Sequence, residues 1–342
     1  MKVVRNLCGV VLSAMLWLAA QACAETPSLD RVSALKREFH RSASIPFPED
    51  NPFSAGKAAL GRMLFFEPLL SGSRSHSCAS CHNPGLSWGD GLARATGDGG
   101  AAMALRAPTL LDLAWAPVLG WDGKFPDIEA VTFAAITGRA NMNLAEPEAI
   151  ARLAAIPGYG RAFLNVFGDE GITRRRIELA LATYERTIVS DEAAFDRWIE
   201  GDEAAINDDA KRGFALFTGR AGCSGCHKGW AFTDGSFHDV GTAQGDDIGR
   251  ARLFPSSRKL RYAFRVPTLR DVARRAPYMH DGSVPTLAAT IDLYDRGGIA
   301  RPSRSTLIKP LGLTADEKAD LIAFLQTLSS RPELVPVPVL PR

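Results

Sequence analysis

The sequence predicts an all-α fold made of two related domains joined by long loops. Apolar residues recur at helical spacing in several segments, while the alternation that is typical of strands is scarce. A five-residue pattern of cysteines and histidine occurs once in each half of the chain, and similar segments follow both copies. We therefore expect two helical units of one design.

Five segments carry the helix prediction. Two of them share the pattern Gly-x-x-Leu-Phe shortly before the cysteine motifs, at Gly61 and Gly213. A third places Ile177 and Leu181 on one face, and the capping box Thr314-x-x-Glu317 opens the last one. The predicted helices span residues 57–65, 173–189, 211–217, 286–295 and 321–328.

The first 24 residues are predicted to be a secretion signal that is removed. Lys2 and Arg5 form a charged start before the apolar residues 7–20, and Ala22-Cys23-Ala24 then fits a cleavage site. The apolar stretch is short for a membrane span of about 20 residues, and the sequence has no second one. Cleavage as a lipoprotein at Cys23 is an alternative. The sequence therefore predicts a periplasmic protein without a membrane span.

Length and charge exclude some classes of function. Without the signal, about 318 of the 342 residues remain, which suits two domains of ordinary size. The formal net charge of +2 falls to zero once Lys2 and Arg5 are removed. Because no basic excess remains, neither nucleic acid nor a charged membrane surface is an expected partner.

The two cysteine motifs have the pattern C-x-x-C-H of covalent haem c attachment. The first consists of Cys78, Cys81 and His82, and the second of Cys223, Cys226 and His227. The two thiols bond to the haem vinyl groups, and the histidine turns back to ligate the iron. A redox dithiol, a zinc site or two disulfides would leave both histidines unexplained. We therefore predict two covalently bound haems c in cytochrome c-like domains.

The chain repeats one haem-binding unit, which indicates an ancient duplication. The repeated segments are Trp88-Gly89-Asp90-Gly91 with Phe232-Thr233-Asp234-Gly235, residues 106–110 with 265–269, and Trp121-Asp122-Gly123 with His280-Asp281-Gly282. We assign residues 25–195 to the N-terminal haem domain and residues 196–342 to the C-terminal one. The last helix is a candidate to pack on the N-terminal domain.

The sixth position of each iron decides between chemistry and electron transfer. Within the repeat, Tyr294 falls opposite Ala135, so the second half offers an oxygen ligand where the first offers a methyl group. No histidine lies between His82 and His227 to cap the first iron. The sequence therefore predicts an open first iron and a closed second iron, unless Tyr294 is a buried aromatic with a satisfied hydroxyl.

Three further residues of the second half are candidates to lie near its haem. Met279 is an alternative sixth ligand to the iron. His238 and His280 are candidates to hydrogen-bond groups around the haem, and the repeat places His280 opposite Trp121.

These motifs resemble those of the bacterial di-haem cytochrome c peroxidases and the related MauG-like proteins. The resemblance runs from Asn51 to about Leu328 and rests on both C-x-x-C-H motifs, on Trp121-Asp122-Gly123 and on residues 277–282. It implies that the N-terminal haem reacts with peroxide, that the C-terminal haem relays electrons, and that Trp121 carries charge between them. Without the resemblance, Trp121 would be assigned to the core.

Two departures from the peroxidases of this family concern the iron ligands. The family's methionine ligand of the second iron corresponds to Tyr294, as in MauG-like members. A phenolate would donate charge to ferric iron and lower its potential. The displaceable histidine that many members hold over the first haem has Asp98 near its place. The resemblance therefore implies that activation by prior reduction is unnecessary here.

Two further departures concern proton transfer and calcium. The family's distal glutamate corresponds to Asn141 and its neighbouring glutamine to Val131. An amide can hydrogen-bond peroxide but cannot act as an acid or base near neutral pH, so water or Glu146 would have to carry the proton. The asparagine and threonine of the family's inter-domain calcium site correspond to Arg106 and Arg275. Backbone carbonyls are then the remaining calcium ligands, and the two guanidinium groups are candidates to replace the cation.

Three functions are consistent with these features. The first is a periplasmic peroxidase that reduces hydrogen peroxide with electrons from a small cytochrome c or cupredoxin. The second is a MauG-like enzyme that oxidises Trp or Tyr residues of a partner protein through a high-valent di-haem state, with Trp115, Trp198 and Trp230 as candidate hopping stations. The third is a non-enzymatic electron carrier with both irons six-coordinate. On axial ligation and the missing distal carboxylate, the peroxidase ranks first and the carrier last.

Overall fold

A computed structural model describes residues 29–100, 102–331 and 334–342 of the chain. Helices provide nearly all the regular structure of these residues, and long loops connect them. The all-α prediction is therefore confirmed. The predicted secretion signal at residues 1–24 lies outside the described residues.

All five predicted helices are present, although the last one begins at Ala315 instead of Leu321, and the chain also forms helices that were not predicted. The α-helices are α1 (Leu29–Glu38), α2 (Ala55–Phe65), α3 (Cys78–Cys81), α4 (Ile128–Thr137), α5 (Glu146–Ala154), α6 (Pro157–Phe167), α7 (Arg174–Arg186), α8 (Ala194–Ile199), α9 (Asp208–Thr218), α10 (Leu287–Asp295) and α11 (Ala315–Gln326). The strands β1 (Phe237–His238) and β2 (Phe264–Arg265) pair antiparallel. Within the described ranges, no helix combines the length and the apolar character that a membrane crossing requires.

The core of each domain forms where two helices cross at a glycine. A Cβ atom built at Gly61 of α2 would lie 1.9 Å from the carbonyl oxygen of Ala180 on α7. In the second domain, a Cβ at Gly213 of α9 would lie 2.0 Å from the carbonyl oxygen of Asp320 on α11. The glycine of the repeated Gly-x-x-Leu-Phe pattern therefore lets both helix pairs approach closely.

Aromatic rings fill the core of the second domain, and the last helix belongs to it. Phe39, just after α1, inserts among these rings, with its centroid 5.0 Å from that of Phe232. Phe324 of α11 is fully buried in the same core. The expectation that the last helix packs on the first domain is therefore corrected, because α11 packs on α9. Only the chain beyond it reaches the first domain, where the Pro336 carbonyl accepts a hydrogen bond from Arg62. The boundary near residue 195 stays a prediction.

The two domains repeat each other in local geometry as well as in sequence. Asp112 and Asp271 both adopt the left-handed conformation, with φ of 62° and 55°. Each carboxylate accepts a hydrogen bond from a backbone N–H far along the chain, that of Ser190 after α7 at 2.9 Å and that of Ser330 after α11 at 3.0 Å. Since α4 and α10 also begin at equivalent positions, residues matched by the repeat occupy matching places in the fold.

Two equivalent turns hold the domains face to face. A Cβ at Gly123 of the first domain would lie 2.5 Å from the ring of Phe237 in the second. A Cβ at Gly282 of the second domain would lie 2.4 Å from the Cα of Ala93 in the first. Both glycines have positive φ, 69° and 66°. Each domain thus packs against a turn that only glycine can form at this distance.

Replacing Gly61 with alanine is expected to lower the free energy of unfolding by about 3 kcal/mol or more, because the new methyl group meets a backbone oxygen. Gly56→Ala in the same helix is the matched control, since its Cβ would lie 3.6 Å from Val166 Cγ2, an ordinary contact. The control should be unchanged or gain up to about 1 kcal/mol from helix propensity. Denaturant unfolding of both holoproteins, followed by circular dichroism, measures the difference. Equal midpoints for the two variants would contradict the close crossing.

Candidate haem sites

The four motif cysteines lie at short helical turns, and none of the four forms a disulfide. α3 consists of Cys78–Cys81, and a 3-10 turn holds Cys223–Gly225. Burial raises the pKa of the Cys78 thiol and raises that of Cys223 to about 12. A redox dithiol depends instead on a lowered thiol pKa. The environment of these thiols therefore argues against a redox dithiol and is compatible with haem attachment.

A carbonyl group orients each motif histidine. Nδ1 of His82 lies 3.2 Å from the carbonyl oxygen of Trp88, and Nδ1 of His227 lies 2.9 Å from that of Phe232. The Nδ1–H donates in each pair, which leaves the lone pair of Nε2 available for a metal. Burial lowers the pKa of both rings, so the neutral form that ligates iron is favoured.

The repeated Arg-x-Pro-Thr-Leu segment supports the loop behind each histidine. Thr109 Oγ1 donates to the carbonyl oxygen of Ser87 at 2.7 Å, and Thr268 Oγ1 donates to that of Ala231 at 2.7 Å. Each acceptor immediately precedes the residue whose carbonyl orients the histidine. The threonine of this segment therefore holds the histidine in place through one intervening loop residue.

The second motif borders a cavity shared by both domains. Its volume is about 660 Å³, within the range that is typical of cofactor sites. Cys223, Cys226 and His227 line it. Tyr294 of α10 and Trp121 of the first domain line it as well. Two thiols, an imidazole and a largely apolar wall thus surround one space of suitable size for haem.

Tyr294 presents its ring to this cavity. Burial raises the pKa of its hydroxyl, which lies within the electrostatic reach of Cys223 and Cys226. No residue in the described part of the chain hydrogen-bonds that hydroxyl. The hydroxyl faces the cavity instead of a protein acceptor, so the alternative of a satisfied core tyrosine fits poorly. Tyr294 is therefore available as an oxygen ligand.

His280 lies at the cavity wall but is tied to protein groups. Its Nε2 lies 2.7 Å from a carboxylate oxygen of Asp247, and its ring stacks on Phe264 with centroids 3.6 Å apart. These contacts suit a residue that shapes the site rather than one that ligates the iron. Neither Asp247 nor Phe264 was predictable as a partner of His280, because neither lies close to it in the chain.

His238 and Met279 also border the cavity. His238 Nε2 lies 2.9 Å from Ser236 Oγ and 3.5 Å from Cys226 Sγ, and its Nδ1 lies 3.0 Å from Ser305 Oγ. Both ring nitrogens of His238 are therefore engaged beside the candidate attachment cysteine. Met279 has a positive φ of 70°, in the turn that precedes Gly282.

Trp121 lies where the domains meet. Its Nε1–H donates to the carbonyl oxygen of Arg106 at 2.9 Å, and its own carbonyl accepts from the backbone N–H of Arg265 at 2.8 Å. A pair of indole rings also crosses the interface, since the rings of Trp115 and Trp230 are T-shaped with centroids 4.7 Å apart. The sequence could not indicate this pairing, because it joins distant segments.

The candidate distal residues of the first site lie on the loop after α4 and on a neighbouring turn. Asn141 is half-buried, and its carbonyl accepts a hydrogen bond from the backbone N–H of Asp98 at 2.6 Å. Within the described segments its side-chain amide has no hydrogen-bond partner. The Asp98 carboxylate accepts hydrogen bonds from the backbone N–H and the hydroxyl of Ser73, and lies 3.5 Å from His76 Nδ1. These contacts hold Asp98 in its own loop.

The other residues matched to the family's distal side are less directly placed. Val131 and Ala135 lie on α4, the equivalent of the helix that carries Tyr294. Glu146, at the start of α5, forms an ion pair with Arg174 at 2.9 Å. Its carboxylate is therefore already engaged, which weakens its candidacy as the proton carrier.

Comparison with known proteins assigns the family. Residues 55–204 match the family model of di-haem cytochrome c peroxidases, and residues 210–329 match that of cytochrome c. Relatives more than 30% identical are matched over most of the chain. The chain therefore belongs to the family of di-haem cytochrome c peroxidases and MauG proteins. It is an oxidoreductase of the peroxide-using class with two cytochrome c-type domains, as the motifs predicted.

Its relatives come from both branches of this family. The methylamine utilization protein MauG of Methylorubrum extorquens is 49% identical over 325 residues, which cover 94% of this chain and 92% of that protein. The cytochrome c551 peroxidase of Nitrosomonas europaea is 32% identical over 301 residues, which cover 86% of each. A crystal structure of a MauG-like protein associated with microbial copper homeostasis has a TM-score of 0.79 at 31% identity, covering 84% of this chain and 94% of that one.

Loss of both cysteines from one motif is expected to halve the covalently bound haem. A Cys78→Ser/Cys81→Ser variant should keep only the second haem, and a Cys223→Ser/Cys226→Ser variant only the first, because the motifs share no residue. The pyridine haemochrome assay after acid–acetone extraction measures the haem that stays attached. If either double variant keeps both haems, covalent attachment through that motif is disproved.

Proposed function

We propose that this protein uses hydrogen peroxide to oxidise tryptophan or tyrosine residues of a partner protein in the periplasm, as a MauG-type enzyme. The observation that supports this most is Tyr294, which lines the cavity of the second site with a hydroxyl that no described residue bonds. The higher identity to MauG than to the cytochrome c551 peroxidase agrees with it.

The first site would receive the peroxide. His82, oriented by the Trp88 carbonyl, would ligate the haem iron from the proximal side. When bound, that iron would supply the two-electron chemistry of O–O cleavage. Asn141 would donate an amide hydrogen bond to the peroxide but would not move a proton. Because protons would then reach the peroxide slowly, the enzyme would hold its oxidising equivalents instead of turning over rapidly.

Trp121 would exchange electrons between the two sites while it keeps its proton. The Arg106 carbonyl holds the Nε1–H at 2.9 Å. A backbone carbonyl accepts hydrogen bonds but is too weak a base to take this proton near neutral pH. Electron exchange through the indole would therefore be reversible, as charge shared between two haems requires.

Tyr294 would set the electronic character of the second site. A phenolate ligand donates charge to ferric iron and lowers its potential. The second site would then give up electrons readily and accept them poorly from a cytochrome. This property suits long-range oxidation of a protein better than turnover with a small redox donor.

A cytochrome c peroxidase supplied by a small cytochrome or cupredoxin is the second candidate function. The similarity to the cytochrome c551 peroxidase over most of both chains favours it. A non-enzymatic carrier would have protein ligands on both faces of both irons, so the spin states of the resting protein distinguish it from the two enzymes.

One preparation of the holoprotein tests these functions. Electron paramagnetic resonance of the resting ferric protein should show one high-spin and one low-spin haem. Stoichiometric peroxide without a donor should then give an oxidised form that persists for minutes, and turnover with reduced cytochrome c should be slow. Rapid turnover without a persistent form would support the peroxidase instead. Two low-spin signals together with inertness toward peroxide would support the carrier.

Replacing Tyr294 with methionine is expected to raise the potential of the second haem by at least about 60 mV, a tenfold change for one electron. The reason is the loss of an anionic oxygen donor. Spectroelectrochemical titration of the purified variant measures the shift. Tyr278→Phe is the control, because the Tyr278 hydroxyl donates to the Val272 carbonyl at 3.0 Å. An unchanged spectrum and potential in the Tyr294→Met variant would refute ligation.

A further inference from the structure

Two arginines whose Nε atoms are buried meet at the wall of the inter-domain cavity. Arg106 comes from the first domain and Arg275 from the second, and both line the cavity that His227 and Tyr294 line. The Arg106 guanidinium donates to the carbonyl oxygen of Arg275. The Arg275 guanidinium in turn donates to the carbonyl oxygen of Thr268 at 2.6 Å. The Arg106 side chain therefore bridges the domains through a backbone acceptor, while the Arg275 side chain is held within its own domain.

The protein compensates the charges of this pair only at longer range, through Asp90 toward Arg106 and through Asp271 and Asp112 toward Arg275. In the portion of the chain that the structure describes, neither guanidinium pairs with a carboxylate, and the Nε of each is buried without an acceptor. Burial, together with neighbouring Arg106, lowers the pKa of Arg275 to about 10. Two neighbouring positive charges whose buried N–H groups lack an acceptor are unfavourable unless an anion lies beside them.

The same residues do not fit calcium. Calcium takes six to eight oxygen ligands, mostly carboxylates, carbonyls and water. At the two places where the family resemblance puts an asparagine and a threonine, this chain has Arg106 and Arg275, whose side chains offer only N–H donors and a positive charge. A calcium ion at this point would add to the repulsion that already exists between the two guanidinium groups.

We infer that Arg106 and Arg275 bind a carboxylate of the haem in the second site, in the place that the family gives to calcium. Haem carries two carboxylate side chains, and the planar guanidinium matches a carboxylate with two parallel hydrogen bonds. The inference depends on haem in this cavity and not on the proposed protein substrate.

This pairing has an electronic consequence for the second haem. A fixed positive charge near the iron favours the ferrous form, because that form carries one positive charge less than the ferric one. Arg106 and Arg275 would therefore raise the potential that Tyr294 lowers. Removing one arginine should shift the ferric–ferrous equilibrium toward ferric iron.

Metal analysis tests the first part of the inference. The purified holoprotein should contain no stoichiometric calcium, and a chelator such as EGTA should leave its spectrum, its potentials and its thermal unfolding unchanged. Bound calcium that resists dialysis, or a chelator-induced change in either haem, would overturn the replacement of calcium by the arginine pair.

Charge variants test the second part. Arg275→Gln should shift the equilibrium of the second haem roughly tenfold toward ferric iron, which is 59 mV for one electron. Arg275→Lys, which keeps the charge, should have a potential of the second haem close to that of the wild type. This variant also shows that the effect of Arg275→Gln does not come from a loss of the fold. Arg274→Gln is the matched control, because Arg274 lies one residue away in a surface contact with Asp271.

Two outcomes would overturn the assignment to a haem carboxylate. One is a potential in Arg275→Gln that equals that of Arg274→Gln at full haem content. The other is a wild-type potential that changes with added phosphate, since the pair would then bind a free anion. All these readouts are measured without peroxide or a partner protein, so their outcome does not depend on the proposed function.

Discussion

The packing of two equivalent turns, each against the opposite domain, is the constraint on which the rest of the structure depends. Gly123 and Gly282 each lie against the opposite domain at positive φ, where a larger side chain would not fit. Trp121 begins the first of these turns, and its carbonyl bonds to the second domain. The second turn forms part of the cavity wall through His280. The docking of the domains and the proposed electron route are thus determined by one set of contacts.

The duplicated scaffold accommodates two different sites because the differences lie away from the helix crossings. The equivalent helices α4 and α10 carry Ala135 and Tyr294 at matching positions. Trp121 and His280 also match, yet the indole bonds to a backbone carbonyl whereas the imidazole bonds to the Asp247 carboxylate. The same backbone therefore carries different side chains at equivalent positions of the two sites.

The sequence predicted those features that depend on residues close together in the chain. The C-x-x-C-H motifs, the helices and the repeated turns are of this kind, because spacing alone encodes their geometry. Contacts between distant segments were not predictable, as the pairing of Asp247 with His280 illustrates. The packing of α11 was misjudged because an amphipathic helix reveals its apolar face but not its partner. The roles of Tyr294, Trp121 and Asn141 remain predictions, since they concern atoms of the haem.

Each end of the chain packs against the domain that the opposite half of the chain forms. Phe39, near the start, completes the aromatic core of the second domain. Near the other end, Pro341 lies against Gly158 of the first domain, so closely that an added Cβ would come within 2.7 Å of the proline ring. Splitting the gene between the two domains would consequently give two polypeptides, each of which lacks a segment that the other encodes.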